Sequence, residues 1–161
     1  MPVRAFHREL SSRVESLGAL AQALARWCRE AGVPPSVMEA ATLMVDELVA
    51  NTVMHGYPGD PSGWIEVRAR VADAALEITL RDRAKAFDPR CTPVPDTTLP
   101  MEQRRIGGLG LLFVRRMADA IDYERMEDAP GGAMNEVRLL KRFPPAGSAS
   151  NSAVQPGAAA G

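Results

Sequence analysis

The 161 residues are 46% hydrophobic and 24% charged, which is sufficient for one domain with a hydrophobic core. A formal net charge of −1 argues against a general nucleic-acid-binding protein, because such proteins usually carry a basic excess. No segment approaches the roughly 18 consecutive apolar residues of a membrane span, and the first ten residues lack the apolar core of a signal peptide. Cys28 and Cys91 show no metal or redox spacing and suggest a reducing compartment. We therefore expect a cytoplasmic protein without membrane or direct nucleic-acid contacts.

Two helices are predicted after residues 3–8, a candidate first strand with weak alternation. Ser12 and Glu15 have the spacing of a capping box, and the apolar residues that follow recur at helical spacing until Gly32. A second capping box, at Ser36 and Glu39, predicts a helix over residues 36–55.

The hydrophobic pattern then changes to the alternation typical of strands. Residues 65–71 and 76–80 predict an antiparallel hairpin that turns at Asp73-Ala74. A third helix is predicted from the glycines at 107–110, and the last two strands over 121–126 and 135–140.

This order of elements predicts an α+β fold. We expect a two-layer sandwich with a mixed, mostly antiparallel sheet and about three helices on one face. Residues 89–106 contain four prolines and no periodicity, which in a compact domain indicates a functional or mobile segment. From residue 144 the Pro, Ala, Gly and Ser composition predicts a disordered tail, so the domain is expected to span residues 1–143.

A polar stripe on the second helix is the first candidate site. Glu47, Asn51 and His55 follow one another at spacings of four, which places them on one helix face. Glu47 and Asn51 can present a proton acceptor and a neutral oxygen ligand to one small volume, and Mg²⁺ prefers such oxygen ligands. A solvated helix face is the alternative interpretation of the stripe.

Two further segments carry polar or glycine signals. The glycines at 107–110 stand where a loop enters a helix, and free N–H groups and the helix dipole there favour a phosphate; a turn or hinge is the alternative. Arg104 and Arg105 precede them and could neutralise phosphate charge. Asp82 ends a strand and could accept a hydrogen bond from an exocyclic amine such as that of adenine, or simply begin a turn.

Taken in order, these motifs resemble the anti-sigma-factor serine/threonine kinases of bacterial partner-switching systems. That family belongs to the GHKL ATPase superfamily, with histidine kinases, gyrase B, Hsp90 and MutL, and has the Bergerat fold. DELVANTVMHGYPGD is similar to its N-box, DRAKAFDP to its first glycine box and RRIGGLGLLFVRRMADAIDYER to its second. The closing NEVRLLKRF is similar to the family's last strand, so the resemblance covers roughly residues 3–143.

The resemblance implies an ATP site beneath a mobile lid at about 89–106. Glu47 would be the general base that accepts the proton of the attacking hydroxyl, and Asn51 would ligate a Mg²⁺ that bridges the phosphates. Asp82 and the neighbouring Ala84 would contact adenine. The phosphates would be held by residues of the second glycine box, namely Arg105, Gly107, Gly108 and Gly110.

The resemblance also implies an activity and partners. Such a protein is an anti-sigma factor that binds a sigma factor, or instead binds a STAS-type antagonist and phosphorylates its serine with Mg·ATP. A homodimer is expected, formed through the helix-and-sheet face near the N-terminus. His55 is expected to cap or pack at the helix end rather than to catalyse.

Two positions depart from the family pattern and keep a second hypothesis open. Ala84 stands where the family usually has Gly, and Arg138 is the apparent match to a Thr near the base. Either change could weaken nucleotide binding, so the alternative is a partner-sequestering regulator without useful catalysis. A detached catalytic domain of a histidine kinase is disfavoured, because neither His7 nor His55 lies in a dimerising helix.

Overall fold

The computed structural model describes residues 5–91, 98, 108–128 and 131–145, and within them five strands form one antiparallel sheet. The elements follow in the order β1 (Phe6–Ser11), α1 (Glu15–Glu30), α2 (Pro35–Asn51), β2 (Trp64–Ala72), β3 (Ala75–Asp82), α3 (Gly108–Met117), β4 (Ala120–Asp128) and β5 (Gly132–Arg142). The strand order across the sheet is β1-β2-β3-β5-β4. The predicted α+β architecture is confirmed. No helix within the described residues is long and apolar enough to cross a membrane.

One face of the sheet and the three helices share a single hydrophobic core. Inward residues of the strands alternate with outward charges, as the sequence pattern requires of a sheet covered on one side. The largest fully buried side chains come from both layers: Leu24, Met44, Val45 and Val49 from the helices, and Ile65, Val67, Leu76 and Ile78 from the strands. At the edge strand, the Phe6 ring packs 5.9 Å from that of Trp27.

The predicted hairpin has its turn at the expected residues. Asp73 and Ala74 have φ values of 48° and 55°, the left-handed conformation of the tight turns that suit the twist of paired strands. Residues Ile65 to Ala72 pair in register with Asp82 to Ala75, so Asp82 lies at the far end of β3 from the turn.

The predicted capping boxes are wrong. The Ser12 hydroxyl accepts a hydrogen bond from the Gly63 N–H at 2.9 Å and donates to the Asp60 carbonyl, so it ties two loops together instead of capping α1. Helix α2 begins at Pro35 without a side-chain cap, because proline already suits a first turn. The first strand also begins later than predicted, at Phe6 instead of residue 3.

Helix α2 changes its winding where the polar stripe ends. Residues Thr52–Gly56 form a π-helical turn, closed by a 3.0 Å hydrogen bond from the Tyr57 N–H to the Thr52 carbonyl. Hydrophobic periodicity cannot distinguish such a widened turn from a regular helix, although these turns are common at functional sites. The predicted helix end near Gly56 is therefore correct in position but different in geometry.

The outer face of the sheet carries a network of ion pairs. Glu66 and Glu136 are each only 3% exposed, and Arg81 contacts both, at 3.5 Å and 2.6 Å. Arg68 adds a 2.7 Å contact to Glu66, and Arg138 donates to Glu136 from two residues further along β5, on the same face. These buried carboxylates are stabilised by several cations at once.

We predict that this network makes stability fall in acid. Burial alone would raise the pKa of Glu66, but the hydrogen bonds and charge of Arg68, together with His7 and Arg81, lower it below the ordinary value. A carboxyl with a lowered folded-state pKa contributes stability above its ordinary pKa of about 4.3, and that contribution is lost as the pH falls through the folded-state pKa. Glu66→Gln should cost about 1–3 kcal/mol at pH 7.

Urea denaturation between pH 7 and pH 3 measures both effects. The free energy of unfolding of Glu66→Gln should depend less on pH than that of the wild type. Glu77→Gln, which removes an exposed pair with Arg70, is the matched control and should change stability by less than about 1 kcal/mol. Identical pH slopes for the wild type and Glu66→Gln would contradict this account.

Candidate functional site

A pocket lies between the end of α2 and the neighbouring ends of β3 and β5. Its walls are apolar and its polar side chains come from both layers. The apolar lining includes Leu48, Leu80, Phe87 and Val137, and the polar lining includes Asn51, Thr52, Asp82 and Asn135. Apolar walls with a few convergent polar groups are typical of a site for a small organic ligand.

Asp82 is the buried acid of this pocket. It is 9% exposed, and its Oδ1 accepts hydrogen bonds from the Ala84 N–H at 3.0 Å and the Asn135 amide at 2.8 Å. Burial raises the pKa of the Asp82 carboxyl, while Asn135, the Ala84 N–H and the Arg125 charge act in the opposite direction. The carboxyl group is thus held in one orientation at the pocket wall, as an acceptor for a donor on a ligand.

Asn135 was missed by the sequence analysis. It lies directly opposite Asp82 in the β3–β5 register and is 3% exposed. Its position does carry a signal in the sequence, because Asn135 begins the inward-facing alternation that continues with Val137 and Leu139. A polar residue at an inward position of an apolar alternation needs a hydrogen-bonding partner, and here that partner is Asp82.

The apparent match of Arg138 to a threonine near the base is wrong. Side chains alternate between faces along a strand, so residues 135 and 138 point to opposite faces of β5. Arg138 pairs in register with Thr79 and donates to Glu124 at 2.8 Å on the outer face. Arg138 therefore does not line the pocket.

Ala84 fits its position. Among the described non-glycine residues, positive φ occurs only at Asp73 and Ala74, so Ala84 does not need the conformational freedom of glycine. Its side chain is buried against Gly56, where an added Cβ would lie 2.8 Å from the Ala84 Cβ. The missing methyl group at position 56 makes room for the methyl group at position 84.

Tyr57 connects the loop after α2 to the exit of β3. Its hydroxyl accepts a 2.8 Å hydrogen bond from the Arg83 N–H and donates one of 2.9 Å to the Trp64 carbonyl. The Arg83 guanidinium also lies 4.3 Å from the centre of the Trp64 ring. The backbone between Asp82 and Ala84 is thereby held from the side opposite β5.

Glu47 lies against Gly110 of α3. A Cβ built on Gly110 would lie 2.6 Å from the Glu47 Cδ, so any other residue there would displace the carboxylate. Gly108 is the first residue of α3, and Asn51 lines the pocket one helical turn beyond Glu47. Within the described ranges, no side chain pairs with Glu47. The structure thus brings the acid, the amide and the glycine-rich helix start together.

Some predicted site residues lie outside the described part of the chain. These are Arg105, Gly107 and nearly all of the predicted lid. His55 lies in the widened turn and lines the pocket with an exposed side chain.

The donor set beside the pocket suits a magnesium nucleotide. Asn51 offers a neutral amide oxygen and Glu47 a carboxylate, which are the hard oxygen ligands that Mg²⁺ prefers.

A second group of possible metal ligands among the described residues, His7, Glu9 and Glu66, lies on the outer face of the sheet. Glu66 is already paired there with two arginines, which disfavours a cation.

The comparisons with known proteins identify the family. The family model of the histidine kinase-like ATPase domain matches residues 10–141. The chain is 29% identical to serine-protein kinase RsbW of Listeria monocytogenes serovar 1/2a over 110 residues, which are 66% of this chain and 69% of that protein. It is 30% identical to the anti-sigma F factor of Heyndrickxia coagulans over 88 residues, which are 53% of this chain and 59% of that protein.

Two solved structures share the fold. The RsbU and RsbW domains of Rv1364c from Mycobacterium tuberculosis match 88% of this chain and 33% of theirs, with a TM-score of 0.59 and 22% identity. The chain thus spans about a third of that solved chain. The SiaB–SiaC complex from Pseudomonas aeruginosa matches 86% of this chain and 90% of the solved chain, with a TM-score of 0.56 and 17% identity.

The fold and pocket define an ATPase-type α+β sandwich with its site between the helical layer and one end of the sheet. The chain belongs to the histidine kinase-like ATPase domain family. The resemblance to the anti-sigma-factor kinases that the ordered motifs predicted is confirmed.

We predict that Gly56 and Ala84 are energetically coupled. Gly56→Ala places two methyl carbons 2.8 Å apart and should destabilise the domain by about 1–3 kcal/mol. Ala84→Gly in the same chain removes the clash and should restore most of this loss. The free energy of unfolding of both single variants and the double variant forms a double-mutant cycle, and strictly additive values would contradict the contact.

Proposed function

We propose that the protein is a serine/threonine protein kinase that transfers the γ-phosphoryl group of Mg·ATP to a serine of a partner protein. The proposal rests on three features that lie next to one another in this member of the ATPase family. The Asp82 pocket, the Glu47–Asn51 face of α2 and the glycine-rich start of α3 are contiguous.

At one end of the site, the pocket would hold adenine. Leu80, Phe87 and Val137 offer apolar contact to the faces of the base. Asp82 offers an acceptor for the exocyclic amine, and its fixed orientation favours a base that carries a donor at that point. Ala84 forms part of the same wall.

At the other end, the phosphates would lie between α2 and α3. The free N–H groups at the start of α3 favour an anion, with Gly107, Gly108 and Gly110 allowing close approach and Arg105 adding charge. Asn51 would hold the Mg²⁺, whose charge, when bound, stabilises the phosphates during transfer.

The carboxylate of Glu47 would act as the general base. The serine oxygen attacks the γ-phosphorus, the bond to the β,γ-bridging oxygen breaks, and ADP leaves. The serine proton passes to the Glu47 carboxylate. The close approach of Gly110 supports this role, because it leaves room for the carboxylate at the start of α3.

We further propose that the protein works by partner switching. Relatives are named serine-protein kinase RsbW and anti-sigma F factor, and one structural neighbour was solved as the SiaB–SiaC complex. By analogy, a STAS-type antagonist would be the phosphorylated partner and a sigma factor the blocked one. We place the catalytic domain at residues 1–143, with a tail at 144–161, in a cytoplasmic homodimer.

A sequestering regulator without catalysis is the other candidate. Its motivation was the pair of departures at Ala84 and Arg138. In the structure, Ala84 is accommodated by Gly56, and Arg138 points away from the pocket. No contact among the described residues favours this candidate over the kinase.

We predict that Glu47→Gln uncouples phosphoryl transfer from nucleotide binding. With Mg·ATP and the STAS-type antagonist encoded in the same genome, transfer to serine should fall about 10²- to 10⁴-fold, because a general base is removed. ADP affinity by calorimetry should stay within about threefold, because the amide keeps the volume of the carboxylate.

The matched control is Glu39→Gln, an exposed acid two turns earlier on α2, which should leave both quantities unchanged. Phosphoserine formation by Glu47→Gln at the wild-type rate would refute the role of Glu47. A null calorimetric titration of the wild type with ADP and ATP would refute the kinase itself and favour sequestration.

A further inference from the structure

We propose that Asn135 is a positioning residue that sets the base specificity of the pocket. Held from the edge strand β4 by Tyr123 and Arg125, it fixes the Asp82 carboxylate so that the site selects a purine carrying an exocyclic amine. This inference rests on the proposed nucleotide-binding function. It goes further by assigning the selection to a group of side chains, Asn135, Tyr123 and Arg125, none of which was a predicted site residue.

The Asn135 amide uses its hydrogen-bonding groups in one orientation only. Its Nδ2 donates to Asp82 at 2.8 Å and to the Lys85 carbonyl at 3.0 Å. Its Oδ1 accepts from the Tyr123 hydroxyl and from Arg125, each at 2.8 Å. Reversing the amide would set its NH₂ against the guanidinium and its oxygen against the carboxylate, so the partners on both sides lock the orientation.

Arg125 extends this hold to the backbone after β3. The same nitrogen that donates to Asn135 donates to the Ala84 carbonyl at 2.7 Å. The segment that forms the pocket wall is therefore tied to β4 through one guanidinium and to β5 through one amide. A threonine at position 135 could supply one hydroxyl but could not bridge all these groups at once.

The network leaves Asp82 with capacity for a ligand. Ala84 and Asn135 both donate to Oδ1, and the Thr52 side chain also hydrogen-bonds to the carboxyl. Because a carboxylate has about four lone-pair sites, these three hydrogen bonds leave it able to accept an N–H from a bound base. A buried acceptor held this rigidly cannot turn away when the ligand lacks the donor. A site built to bond a ligand N–H discriminates strongly against an analogue without it, because the acceptor is then left unpaired.

The test compares two nucleotides that differ only in that amine. Calorimetry measures the affinity for ADP and for purine riboside diphosphate, which has hydrogen in place of the 6-amino group. Wild-type protein should prefer ADP at least about tenfold. Asn135→Leu should reduce this preference to about threefold or less, and Asn135→Thr, which keeps one donor, should retain an intermediate preference.

Two further variants keep the test informative if Asn135→Leu fails to fold. Tyr123→Phe removes one donor to the Asn135 oxygen and should lower the preference for ADP by a smaller factor. Arg138→Gln, on the same strand but the outer face, is the matched control and should leave the preference unchanged. If Asn135 had a merely structural role, its replacement would weaken the binding of both nucleotides equally. The ratio of the two affinities would then stay at the wild-type value, which would overturn the inference.

A measurement without nucleotide separates this inference from the proposed function. Carbon-13 NMR of the Asp82 carboxyl follows its titration in the free protein. Asn135→Leu or Tyr123→Phe should raise the pKa of Asp82, because the donor that favours its charged form is lost or loosened. An unchanged Asp82 titration in Asn135→Leu would overturn the inference. Wild-type protein that binds neither nucleotide would overturn the proposed function, and base selection with it.

Discussion

The antiparallel register of β3 with β5 is the constraint on which the candidate site depends. It places Asp82 opposite Asn135 at the end of the sheet that lies beneath the last turn of α2. A slip of one residue would turn Asp82 toward the outer face and its apolar neighbours away from the core. Burial of the inward strand residues therefore fixes the same register that creates the polar wall of the pocket.

The candidate site also depends on two close contacts beside that wall, one between α2 and α3 and one between the widened turn and the segment after β3. Gly110 lets α3 pack against Glu47 without displacing its carboxylate, and the widened turn after Asn51 brings Gly56 against Ala84. Both contacts need a glycine, yet they act differently. The first leaves space for the Glu47 carboxylate, whereas the second lets two backbone segments approach each other beside the pocket.

The sequence predicted most of the fold because its hydrophobic periods are strong. The α1 and α2 helices, the β2–β3 hairpin and its turn follow from alternation and helical spacing alone. The capping boxes failed because Ser12 has a better partner across the chain, in the loop at Asp60 and Gly63. Arg138 was misassigned and Asn135 overlooked because the resemblance to the family's last strand does not consider the faces of β5. The alternation with Val137 and Leu139 places residue 135 on the inner face and residue 138 on the outer face. The π-helical turn could not be predicted from the sequence, because it changes the hydrogen bonding of the backbone without changing the apolar pattern.

In the proposed function, one cavity would receive the base at Asp82 and the phosphates between Asn51 and the start of α3. A crystal structure of the protein with a non-hydrolysable ATP analogue and Mg²⁺ tests it most directly. The account predicts the exocyclic amine on Asp82, the metal ion on the Asn51 oxygen, and Glu47 facing the γ-phosphate. A base bound outside the pocket, or a γ-phosphate on the far side of α3 from Glu47, would contradict it.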